Sequence, residues 1–147
     1  MVSGLKYSVG YQMMSDSSFI DEIIRCSENI EEVYFSWGDF PNGRNLQTQQ
    51  QLTPWEAMER QICDLKTLND SNIAFNLLFN ANCYGADSLS RHFFNKIGDT
   101  IDYIKENFNL SSVTTTSPVI AKFIKNNFRE MIDTKSRPHK DYKTTLQ

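Results

Sequence analysis

The sequence predicts an α/β fold of four βα units with parallel strands, half of a TIM-barrel-like fold. Three observations predict it. Apolar stretches switch between strand and helical periodicity in the order βαβαβαβα. Successive strands joined through helices make a parallel sheet with right-handed crossovers. In the first three strands one side-chain parity is smaller and more polar than the other. An open doubly wound sheet has helices on both faces and gives continuous apolar runs in its central strands, whereas a βα barrel turns one parity toward a central interior. Tyr7, Val9 and Tyr11 stand against Ser8, Gly10 and Gln12; Val33, Phe35 and Trp37 against Tyr34, Ser36 and Gly38; Ile73, Phe75, Leu77 and Phe79 against Ala74, Asn76, Leu78 and Asn80. A small flavodoxin-like sheet is the alternative.

The first strand is "LKYSVGY", Leu5–Tyr11. Asp16 or a neighbouring serine caps a helix whose Phe19, Ile20, Ile23 and Ile24 recur at helical spacing. "EEVYFSW", Glu31–Trp37, is the second strand. After a long polar loop, Thr53 and Glu56 have capping-box spacing and Pro54 takes the first helical position; Trp55, Met58, Ile62, Leu65 and Leu68 form the expected buried stripe. The third strand is Ile73–Phe79, and a helix from Ser88 to Phe108 buries Phe93, Phe94, Ile97, Ile101, Ile104 and Phe108. "LSSVTTT", Leu110–Thr116, is the fourth strand, and Ser117 and Pro118 start a helix carrying Val119, Ile120, Phe123, Ile124 and Phe128. Residues 1–130 thus form the βα half-barrel domain. Residues 131–147 read as a polar, basic tail: Met131 and Ile132 could begin a strand, but "DTKSRPHKDYKTTLQ" lacks apolar periodicity and is expected to be mostly disordered.

With 147 residues, the chain holds one domain with a substantial core. Its 39% hydrophobic and 22% charged residues fit a soluble globular protein, and a net charge of −3 argues against a general nucleic-acid or membrane surface. No apolar run has the length of a bilayer span, and the first residues lack a charged-then-apolar signal architecture, so a cytoplasmic location is expected. Cys26, Cys63 and Cys83 are widely spaced and predict neither a disulfide framework nor a self-contained metal site. Cys26 falls on an apolar helical face, and Cys63 is expected to be half-buried beside Ile62. His92 and His139 have no partner at metal-ligand spacing, and glycine-rich phosphate-loop spacing is absent. No metal or cofactor is expected.

Ligands of parallel α/β folds meet the loops at the carboxyl ends of the strands. That rule selects Gln12 after the first strand, Arg44 and Asn45 in the long loop after the second, Asn80 and Asn82 after the third, and Thr114 at the fourth as candidate substrate-binding residues. Arg44 either clamps a carboxylate or phosphate or is solvated beyond a Pro41–Asn42–Gly43 turn. Asn80 and Asn82 either bond a substrate or end the strand by bonding their own loop. Cys83 has no histidine near it in sequence and reads as an inert thiol rather than a nucleophile. The catalytic residues are unknown at this stage.

"IEEVYFSWGDFPNGRN", "FNLLFNANCYG" and "SSVTTTSPVIAKFIKNNF" together resemble the N-terminal part of peptidase family U32-like proteins, the collagenase-like proteases. The resemblance spans roughly Lys6 to Phe128 and implies a hydrolase ancestry and a barrel-type α/β region. Family members continue into further βα units, and the distant cysteine cluster that binds metal or an iron–sulfur centre in some relatives has no counterpart here. The implied protein is an apparently truncated N-terminal half of a U32 peptidase-like barrel, not catalytically competent alone. The alternative is a non-catalytic binding or assembly module that dimerises, or pairs with a second half-barrel chain, through exposed sheet edges. A peptide or small molecule is the expected ligand class.

Overall fold

The computed structural model describes residues 4–38, 52–80 and 89–128, and the backbone of two further strands at 131–136 and 142–146. The first four strands are β1 (Tyr7–Gly10), β2 (Ile30–Phe35), β3 (Phe75–Phe79) and β4 (Leu110–Thr115). The helices are α1 (Ser18–Arg25), α2 (Pro54–Asp70), α3 (Arg91–Asn107) and α4 (Pro118–Asn127). β1 pairs with β2, β2 with β3 and β3 with β4, all parallel. The fold class is therefore the expected one: four parallel strands in one sheet, alternating with helices.

The helix starts follow from local chemistry. The Thr53 hydroxyl accepts from the Glu56 amide at 3.2 Å, while the Glu56 carboxylate accepts from the Thr53 amide at 2.8 Å, a complete capping box with Pro54 behind it. Ser90 and Ser117 accept from the amides of Phe93 and Ile120. At α1, the Asp16 carboxylate accepts from the Ser18 amide at 3.0 Å. Asn72 adopts a left-handed φ of 60° and reverses the chain between α2 and β3, a conformation asparagine tolerates better than most residues.

One face of the sheet carries the apolar core. Val33, Phe35, Phe75, Leu77, Phe79 and Val113 point toward the helices and meet Leu65, Leu68, Ile97, Ile101, Ile104, Ile120 and Ile124, all buried. Each such side chain contributes about 1.5–3 kcal/mol by leaving water. Phe75 packs edge-on against both Phe35 and Phe108, with ring centroids 5.8 and 6.0 Å apart. Phe94 of α3 and Phe123 of α4 pack at 5.0 Å.

The expected stripe of α2 is corrected at its start. Trp55 is 70% exposed, and the buried positions are Gln61, Asp64, Leu65 and Leu68. Two polar anchors set this rotation. The Gln61 amide donates to the Ser36 carbonyl at 2.8 Å, and the Tyr11 hydroxyl donates to Asp64 at 2.6 Å. Arg60 lies 3.3 Å from Asp64 and also donates to the Asp16 carbonyl at 2.9 Å. The Arg60 Nε is poorly aimed at Asp64 and makes no hydrogen bond there, so this contact is Coulombic. Val119 is likewise exposed, and so is Cys63, which was expected to be half-buried.

Beyond Phe128 the structure carries two strands, β5 (Met131–Ser136) and β6 (Tyr142–Leu146), where the sequence offers little apolar periodicity. β6 lies antiparallel on β4 and β5 antiparallel on β6, giving the sheet order β1-β2-β3-β4-β6-β5. Backbone pairing along the free edge of β4 organises this segment, and that force leaves no hydrophobic pattern to read.

Burial first, then the hydrogen bond to Asp64 and the negative charge of its carboxylate, push the Tyr11 phenol far above its usual range. Because the folded pKa is raised, the associated stability is fully present below the unfolded value near about 10 and is lost as pH climbs beyond it. Urea unfolding between pH 8 and 11, as rough bounds, is expected to show that alkaline loss in the wild type, and Tyr11→Phe to be about 1–2 kcal/mol less stable at pH 8 with a flatter alkaline slope.

Candidate functional site

The second face of the sheet, turned away from the helices, is polar. Ser8, Glu32, Asn76, Ser112 and Thr114, drawn from all four parallel strands, form one hydrogen-bonded network. The Glu32 carboxylate is its centre. Oε1 accepts from the Ser8 hydroxyl at 2.8 Å and the Asn76 amide at 3.0 Å, while Oε2 accepts from the Ser112 hydroxyl at 3.2 Å. Thr114 then donates to the Asn76 side-chain carbonyl at 3.0 Å. Glu32, Asn76, Ser112 and Thr114 are all at most 8% exposed.

A carboxylate only accepts, so Asn76 must turn its NH₂ toward Glu32 and its oxygen toward Thr114. The Thr114 proton is thereby committed to Asn76, and any further bond to that hydroxyl must come from a donor, such as a peptide N–H. Above the network on the same face lies the Tyr34 ring. It occupies the space left by Gly10, where an added Cβ would stand 2.9 Å from the ring.

Of the six residues selected from sequence, Thr114 belongs to this network. Gln12 is exposed just beyond β1, and Asn80 follows β3 half-buried. Arg44, Asn45 and Asn82 lie outside the described residues, as does Cys83. The sequence reading missed Glu32. Its signal was available: two residues before Tyr34, it continues the polar parity of the second strand.

A concavity of about 320 Å³ opens on the helix side, lined by Trp37 and by α3 residues including His92, Lys96, Asp99 and Tyr103. Trp37 and Tyr103 form its aromatic end, with centroids 5.7 Å apart. Among the described residues, no group of three or more His, Cys, Asp or Glu is placed to hold a metal ion, and no helix is long and apolar enough to cross a membrane.

No family model and no curated protein matches the sequence. Among solved structures, a U32 peptidase, Mk0906, superposes with a TM-score of 0.54 at 15% identity. The match covers 86% of this chain and 47% of that one, so the chain spans about half the length of the peptidase. At that identity the likeness is one of fold: a TIM-barrel-like α/β arrangement, seen here as four of its units.

Glu32→Ala strands three donors and is expected to cost about 3 kcal/mol or more in urea unfolding, whereas Glu32→Gln, which keeps one acceptor oxygen, costs about 1–2 kcal/mol. Gly10→Ala is expected to cost about 1–3 kcal/mol through its clash with Tyr34. That cost should shrink in the Tyr34→Ala background, a non-additivity measurable in a double-mutant cycle.

Proposed function

We propose that the chain is the N-terminal half of a U32 peptidase-like barrel protein and is not catalytically competent by itself. The observation that carries this reading is the fold likeness covering 86% of the chain while spanning 47% of a U32 peptidase. The chemistry of the polar face supports the second clause. Hydrolysis needs an activated nucleophile or water and a group free to take its proton. Here the Glu32 carboxylate already receives three donors, and the Thr114 proton is held by Asn76. The carboxyl ends of the strands, with Gln12, Asn80 and Thr114 and the sequence candidates Arg44, Asn45 and Asn82, form the half-site to which a peptide would bind. A second half-barrel chain completes it.

One observation favours the alternative of a non-catalytic binding or assembly module. Among the described residues the polar face hydrogen-bonds laterally, Glu32 receiving donors from β1, β3 and β4 and Asn76 one from β4, contacts made without a second half. Under that reading the partner docks on the sheet edges, as a second copy or as a separate half-barrel.

Purified chain, folded by circular dichroism, is expected to leave unstructured peptides intact, and coexpression with a candidate second half-barrel to yield a complex that hydrolyses them. Hydrolysis by the chain alone sinks the half-enzyme reading. An inactive homodimer in light scattering, with no complex formed with the second half, favours the assembly module.

A further inference from the structure

We draw no further inference here: the strongest candidate, the concavity of about 320 Å³ between Trp37 and the outward face of α3 that carries His92, Lys96, Asp99 and Tyr103, carries nothing, since nothing in the structure shows what ligand or partner covers that face.

Discussion

The parallel half of this fold is organised around one carboxylate. Glu32 is 4% exposed, and a carboxylate taken out of water is tolerable only when donors replace its hydration. Those donors come from β1, β3 and β4, at Ser8, Asn76 and Ser112. Ser112 stands two strands away from Glu32, roughly 10 Å across a flat sheet. The side chains of that face must therefore converge, as they do on the inside of a curved sheet. The requirement also fixes register. Sliding any strand by one residue would turn its polar group to the apolar face and leave the carboxylate short of a donor.

The opposite face solves a related problem with different chemistry. The aromatic and aliphatic core supplies the bulk of the burial, but it does not say how a helix is rotated above it. For α2 that choice is made by Gln61 on the Ser36 carbonyl and Asp64 on the Tyr11 hydroxyl, both near the carboxyl ends of their strands. These two bonds place polar residues inside and leave Trp55 outside, the reverse of a ranking by hydrophobicity. Directional bonds overrule area here because a misplaced buried acceptor costs about as much as one apolar side chain gains.

How much of this was legible follows from which force shaped each part. Helix starts were readable at Thr53–Glu56 and Ser117–Pro118, since capping is local in sequence. The parallel α/β order and the two-faced strands were readable because burial imposes a period. Glu32 was not recognised although it continues the polar parity of its strand: in "EEVYF" an acidic pair reads as the solvated start of a strand, and its burial comes from the meeting with Ser8, Asn76 and Ser112. Trp55 misled for the same reason in reverse. β6 was unreadable as a strand because its partners are the backbones of β4 and β5, and backbone hydrogen bonds are blind to side-chain pattern. Thr114 was legible as a polar strand position, but its donation to the Asn76 side-chain carbonyl was not.

An incomplete barrel has to settle both its inner face and its edges, and the two are settled here by independent means. On the inner face the described polar groups bond laterally, among residues of neighbouring strands. The β4 edge is closed sterically, by a strand of the wrong polarity to continue the barrel. Neither device follows from the other. A likeness to half of a peptidase accounts for the parallel order of β1 to β4, whereas an antiparallel hairpin on β4 is foreign to a repeating βα barrel. Any function that requires a completed barrel must therefore begin with a change at the β4 edge, while a function of the half-barrel alone requires none. The polarity of β6 is the feature on which the two readings divide.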